Sequence, residues 1–466
     1  MDFNVKKILY LFLAVHLILW TAIPSIVNNN LPLDTIEALA WGNELKLGYD
    51  KYPPIFPLFT ELFFKIFGSQ DWAYYFLSQI FIILTFLTLF EFSKYFFKNE
   101  LFSLISILLL ECIYFFNYTS PELNAFIPLL LFLSITALFC WKAVAFNKNF
   151  DWIIFGFFAA VSTLTYYLAL YLLSSLVIYF ILEIYKKKKI NYKYFLALLT
   201  YFIILSPHLY FLFIIDFKSV DYALFRSFGD PLSSLSSLSL VNNLIYPLIF
   251  LIKQILILIP FLFLLRLTTN KYKIKIDTSD KKLIFLFTIA FLPIILMFLT
   301  SLIGGIRVRT MWMTTFYLFP TIFFVYIFKS EINFNKFKRF ITIYSIIFLS
   351  LPILYAADSL NKADKRTDFP GNEIAKKIQL EWDNNFSNKI EIVAGKSWVF
   401  GGWYAGNLSY HLNSRPAWTN ELKNKSSQIN SSEGVIYTGN PEILKKICPG
   451  VYGTIKPVGY CMIGQK

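Results

Sequence analysis

The stretch LDTIEALAWGNELKLGYDKYPP, residues 33–54, gathers acids, a lysine and a tyrosine just after the first apolar segment of the chain. Asp34 stands at the edge of that segment, where partial desolvation suits a carboxylate to act as a general base toward a hydroxyl. Lys51 and Tyr52 directly precede Pro53 and Pro54. The prolines fix φ and disfavour helix before them, so the turn that aims Lys51 and Tyr52 is stiff. A cation and a phenol held rigidly at an interface suit a phosphate; the same pair also suits plain interfacial anchoring. Glu37 follows Asp34 by three positions, the spacing of a capping box in which Asp34 is the N-cap and Glu37 bonds back to the cap amide. Ile36, Leu39, Ala40 and Leu47 then give the helix an apolar side, and Gly48 is placed to end it. The expectation is a helix lying along a membrane surface with Asp34 at its start.

The elements that must hold these residues are membrane spans. The 466-residue chain is 57% hydrophobic, 20% aromatic and only 15% charged, too apolar for a soluble protein of this length. Apolar runs predict eleven spans, at about 8–27, 72–92, 101–117, 122–141, 151–167, 169–185, 194–215, 243–265, 283–303, 312–328 and 337–356. The run 152–185 is too long for one helix, and the break is expected near Tyr166 to Ala169. The net charge of +14 raises nucleic acid as a partner. The bases fall between apolar runs and form no soluble basic face, which excludes it.

Lys and Arg collect at 94–98, 142–148, 186–193, 266–282 and 329–339, while the alternate loops are poor in them. The positive-inside rule then puts the N-terminus in the cytoplasm and the segments 28–71, 216–242 and 357–466 outside, in a bacterial periplasm. The domains expected are a transmembrane unit, 1–356, and a small periplasmic α/β domain, 357–466. Within the latter, 371–386 and 441–447 read as helices and 390–395 and 434–438 as strands. Cys448 and Cys461 are disulfide candidates if the tail faces an oxidising compartment. Trp403, Tyr404, Tyr410 and Trp418 could stack on sugar, but the reading favoured is that they fill the core of a small domain resting on a membrane. No P-loop, dinucleotide fingerprint, nucleophile elbow or Cys/His metal cluster occurs.

An acid-led helix after the first span, followed by a proline pair before another apolar helix, resembles bacterial members of the protein O-mannosyltransferase superfamily, which includes the lipid A aminoarabinose transferases. The resemblance covers the spans and the first loop, about three quarters of the chain. It implies a GT-C fold and transfer of a sugar from a polyprenyl-phosphate donor. Asp34 takes the place of the family's first-loop catalytic aspartate, and Glu122, in NYTSPELNAF, that of an acid outside the third span. The aminoarabinose branch has an acid and a lysine directly before its proline pair; here Tyr52 separates Asp50 and Lys51 from Pro53. Other branches have a Pro-His pair near the outer end of a later span, matched by Pro207 and His208 in SPHLYFLFIIDF.

Further candidates for the donor phosphate are Arg307 and Arg309 in GGIRVRTMW, since a guanidinium fork grips phosphate bidentately, and Lys253, an ionisable group inside a span. Arg226 lies on the same side, and His16 and Glu111 are also intramembrane ionisable groups. The function expected is an inner-membrane glycosyltransferase with a membrane-anchored acceptor, lipid A leading, and an amino sugar such as aminoarabinose or galactosamine. A protein acceptor is the nearest alternative, and a flippase of lipid-linked sugars the non-enzymatic one. Membrane lipids are the surrounding partners. Whether a divalent cation assists is left open.

Overall fold

The computed structural model of the protein describes residues 4–228, 240–269, 277–396, 401–420 and 433–466. The expected outer loop 216–242 and the basic segment 266–282 lie partly outside these residues.

Ten helices come first: α1 Val5–Val27, α2 Leu33–Gly42, α3 Ile55–Phe67, α4 Asp71–Ser93, α5 Glu100–Glu111, α6 Phe126–Phe146, α7 Asn149–Thr165, α8 Ala169–Lys187, α9 Lys193–Ile214 and α10 Lys218–Phe228. Among the described residues eight helices are long and apolar enough to cross a membrane, or nine if Thr310–Tyr317 and Pro320–Phe328, bent by 47° at their junction, form one span. Each of the eleven expected runs is helical at least in part. The break between α7 and α8 falls at residues 166–168, as expected. Two runs are shorter than a spanning helix. Helix α5 has 12 residues, about 18 Å at 1.5 Å per residue against a hydrocarbon core of about 30 Å. It stops at Cys112, where the chain enters a 3₁₀ turn at Tyr114–Phe116. Helix α7 has 17 residues.

Helix α1 packs on α4 and on the helix Phe337–Asn361; α4 continues to α6, α6 to α7 and α7 to α9. Trp20, Tyr74, Tyr75, Phe86 and Trp152 fill the interior. The outer surface carries Leu199, Phe202, Ile252 and Ile255, all exposed. An apolar belt of this extent has lipid for its solvent, so the protein is a multi-pass membrane protein.

The C-terminal part is a five-stranded mixed sheet in the order β2-β1-β3-β5-β4. Its strands are β1 Ile390–Gly395, β2 Ala417–Thr419, β3 Gly434–Gly439, β4 Val451–Ile455 and β5 Val458–Ile463. Strand β1 is parallel to β2 and β3, whereas β5 is antiparallel to β3 and β4. Trp382, Val393, Leu408, Ile436 and Met462 form its core with the helices Gly371–Asn385 and Gly402–His411. The second of these was not expected. Its glycine-led start is required, because a Cβ on Gly401 would lie 2.5 Å from the Thr438 carbonyl oxygen. Cys448 and Cys461 are joined in a disulfide.

This small domain grips the first loop. Asn30 donates to Asn407 (2.7 Å), Tyr410 donates to Asp71 (2.8 Å), and Arg415 donates to the Leu39 carbonyl (2.6 Å) while pairing with Glu61 (3.2 Å). Trp403 and Tyr410 are thereby packed into the transmembrane core, where they are among its buried aromatics.

Candidate active site

Helix α2 begins two residues earlier than the capping box requires. Pro32 is its N-cap and no side chain caps it. Asp34 is consequently inside the first turn, where the helix dipole favours a carboxylate. Glu37 is one turn further on and faces inward, so it is not the partner of a cap amide. It is 1% exposed and accepts from Lys51 Nζ at 2.5 Å and from the Tyr52 hydroxyl at 3.5 Å. Lys51 also lies 3.6 Å from Asp34. The turn that brings it there is closed by the Tyr49 amide donating to the Tyr52 carbonyl (2.9 Å), and Pro54 caps α3 immediately after it. Lys51 is therefore held between two carboxylates, with the ring of Tyr52 4.6 Å from its ammonium.

The electrostatics follow from this enclosure. Burial pushes the Glu37 carboxyl up to about 7, against the opposing pull of Lys51. Burial opposes the charge on Lys51, but Glu37 and Asp34 outweigh it and hold the ammonium above its ordinary range. Burial also raises the Tyr52 phenol, and the nearby Asp34 and Glu37 charges add to the rise.

Above Asp34 and Lys51 opens a cavity of about 810 Å³. Glu122 lines it, carried on the connection between α5 and α6 and fixed by its amide bond to the Thr119 carbonyl (3.1 Å). Its side chain is exposed to the cavity, and the protein that surrounds the cavity still thins the water around it. This partial desolvation raises its carboxyl to about 7; the Asp34 charge adds to the rise and Arg366 opposes it. The Thr35 hydroxyl, next to Asp34, donates to the Leu123 carbonyl, next to Glu122, at 2.8 Å. The two acids thus sit on segments tied directly together.

Of the residues expected to hold a phosphate, Lys51, Tyr52 and Arg309 line the cavity, as does Arg226. His208, Arg307 and Lys253 do not. His208 Nδ1 is 2.7 Å from the Leu47 carbonyl and Nε2 is 2.8 Å from the Tyr167 hydroxyl. Both ring nitrogens are spent inside the protein, so this histidine pins the first loop and aims Tyr167. A Cβ on Gly48 would lie 2.8 Å from the same ring, which explains glycine there. Arg307 is exposed and Lys253 half-buried, both outside the cavity lining.

The cavity also contains residues that the sequence reading did not single out. Tyr166, Tyr222, Lys362, Lys365 and Arg366 all line it, with the Tyr222 ring 5.8 Å from the Lys51 ammonium. Lys362 pairs with Asp358 (3.5 Å) and Lys365 with Asp368 (3.2 Å). A signal existed: NKADKR, 361–366, places three bases directly after a span on the side where the positive-inside rule expects few. Among the described residues no group of three or more His, Cys, Asp or Glu is placed to hold a metal ion.

A polytopic helical bundle with acid-bearing loops over one cavity, capped by a small sheet domain, is the plan of GT-C-fold glycosyltransferases. Comparison with known proteins agrees. The family described as dolichyl-phosphate-mannose-protein mannosyltransferase matches residues 51–211, about a third of the chain. ArnT from Cupriavidus metallidurans bound to undecaprenyl phosphate superposes with a TM-score of 0.65 over 98% of both chains at 10% identity. The same protein in the apo state gives a TM-score of 0.53, again over 98% of both chains, at 11% identity. No curated protein matches the sequence. The chain has the fold of these structures, the GT-C fold.

Proposed function

We propose that the protein transfers a sugar from a polyprenyl-phosphate donor to a membrane-anchored acceptor at the periplasmic face of the bacterial inner membrane. The observation that carries this reading is the convergence of Asp34, Glu122, Lys51, Arg226 and Arg309 on one cavity. A related fold holding undecaprenyl phosphate supports the donor class. Lys51, Tyr52, Arg226 and Arg309 take the donor phosphate. Asp34 removes the acceptor proton, the acceptor oxygen bonds to the anomeric carbon, and the bond from that carbon to the phosphate oxygen breaks, releasing polyprenyl phosphate. A single displacement inverts the anomeric configuration. Glu122, with a proton available near neutrality, acts on the acceptor side of the same cavity.

The leading acceptor is lipid A, and the leading sugar an amino sugar such as aminoarabinose or galactosamine. The family match over 51–211 favours a protein acceptor as the second reading. Mass spectrometry of lipid A, surface glycans and glycoproteins separates the two, using a deletion strain complemented with wild type or with Asp34→Asn. A sugar-bearing product that returns with wild type and not with Asp34→Asn supports the assignment. Normal amounts of every product with Asp34→Asn would remove Asp34 from the mechanism.

A further inference from the structure

His16 and Glu111, ionisable groups buried among the spans, take no part in the mechanism above, yet they begin a polar chain that ends at the site. His16 Nδ1 is 3.2 Å from Glu111 Oε1, and His16 Nε2 is 3.0 Å from Gln79 Oε1. The Gln79 amide donates to Ser120 Oγ at 3.2 Å, and Ser120 Oγ donates to the Asn117 carbonyl at 2.7 Å. Ser78, beside Gln79 on α4, donates to the Ser120 carbonyl at 2.5 Å. Asn117 closes the chain by donating back to the Glu111 carbonyl. His16, Gln79, Ser78, Ser120 and Asn117 are all 0% exposed and Glu111 is 1% exposed.

Both amide atoms of Gln79 reach the Ser120 hydroxyl: Nε2 donates to Oγ at 3.2 Å, and Oγ can donate to Oε1 at 3.3 Å as an alternative to the Asn117 carbonyl at 2.7 Å. Polar side chains inside a lipid-embedded bundle are costly and persist where something specific is gained. Here the far end of the chain is Ser120-Pro121-Glu122. The side chains on α1, α4 and α5 therefore grip the residue two places before Glu122, while Thr35 grips Leu123, one place after it.

We infer that the His16–Gln79–Ser120 chain, anchored by Glu111, is a positioning device that fixes Glu122 against Asp34. These are positioning residues, since none of them lines the cavity. The inference rests on the role given to Glu122 above. A displacement of about 1 Å at a reacting group costs up to roughly 100-fold in rate, so loosening this loop is expected to lower turnover and leave donor binding alone.

The test uses purified full-length protein and polyprenyl-phosphate sugar extracted from deletion-strain membranes. Gln79→Met, which keeps length and loses both hydrogen bonds, is expected to lower kcat about 10-fold with KM for the donor changed less than about twofold. Gln79→Glu keeps an acceptor for His16 and for the Ser120 hydroxyl, and is expected to restore most of the loss. In a Glu122→Gln background the added Gln79→Met is expected to cost less than about twofold, because its effect runs through Glu122. Ser78→Ala, expected to act in the same direction, serves if Gln79→Met does not fold. Full kcat in Gln79→Met or Ser78→Ala, with Glu122→Gln impaired, overturns the inference alone. Losses that multiply in the double variant overturn it too, as a general loosening of the bundle would produce them. Full kcat in Glu122→Gln removes the role of Glu122 itself.

Discussion

Replacing Lys51 with Met should destabilise the protein in a pH-dependent way that traces to Glu37. Lys51 Nζ lies 2.5 Å from Glu37 and 3.6 Å from Asp34, and Glu37 is 1% exposed. Burial has raised the Glu37 carboxyl from 4.5 to about 7 even with the ammonium present. An acid whose folded pKa lies above its unfolded value loses stability as pH climbs from the unfolded to the folded value. In the wild type that loss is complete just above pH 7. Without Lys51 the folded pKa of Glu37 moves higher, and the loss continues above pH 7 at about 1.4 kcal/mol per pH unit. The ceiling is roughly 3–5 kcal/mol, the usual cost of breaking a buried ion pair. Lys51 itself, held above its ordinary range by Glu37 and Asp34 against the effect of burial, stays protonated throughout and contributes only a constant offset. Between about pH 7 and pH 8.5 the gap from wild type should widen by about 2 kcal/mol. Thermal unfolding in detergent at these two pH values measures it, and adding Glu37→Gln should flatten the difference. A gap that is constant with pH, or that persists unchanged in the double variant, would refute the account of this pair.

Transfer rate should show an inflection near pH 7 from Glu122, absent in Glu122→Gln and shifted upward in Arg366→Gln, since Arg366 opposes the rise in Glu122; a pH–rate series on the three proteins reads this. Replacing Cys448 and Cys461 with Ser should cost about 3 kcal/mol, the loop-entropy value for a closure of this size, read as the thermal midpoint of the C-terminal domain. In native wild type both thiols should resist alkylation until reduced. Arg415→Met leaves Glu61 without its cation and the Leu39 carbonyl without its donor, so the C-terminal domain should release from the first loop; faster limited proteolysis between 362 and 371 is the expected sign.

The first loop was legible because its chemistry is local. Asp34, the stiff turn at Pro53-Pro54 and the apolar runs are read from neighbours in sequence. Glu37 was misassigned because the capping box is also local, whereas its actual partner Lys51 is 14 residues away across a turn. His208 matched a motif, but its two hydrogen bonds run to the first loop and to Tyr167, contacts that only the packed bundle creates. Span 101–117 was overlong because Ile113 to Phe116 are as apolar as the helix before them. Ile113, Phe115 and Phe116 are buried in a turn with Tyr114 half-buried beside them, and they do not continue α5. In the tail, the strands at 390–395 and 434–439 and the helices beside them followed from pattern. The helix Gly402–His411 did not, because two leading glycines and a run of aromatics read as a loop until the sheet and α2 enclose them.

We propose that the cavity over Asp34 and Lys51 moves a sugar off polyprenyl phosphate. The most direct measurement of this transfer is release of free polyprenyl phosphate by the purified protein in lipid nanodiscs, supplied with labelled polyprenyl-phosphate sugar and acceptor membranes from the deletion strain. Wild type should release it in step with sugar appearing on the acceptor, and Asp34→Asn should be slower by about 100- to 10,000-fold, the range of a lost general base. Equal release by both proteins, or sugar transfer without release of the lipid phosphate, would contradict the account.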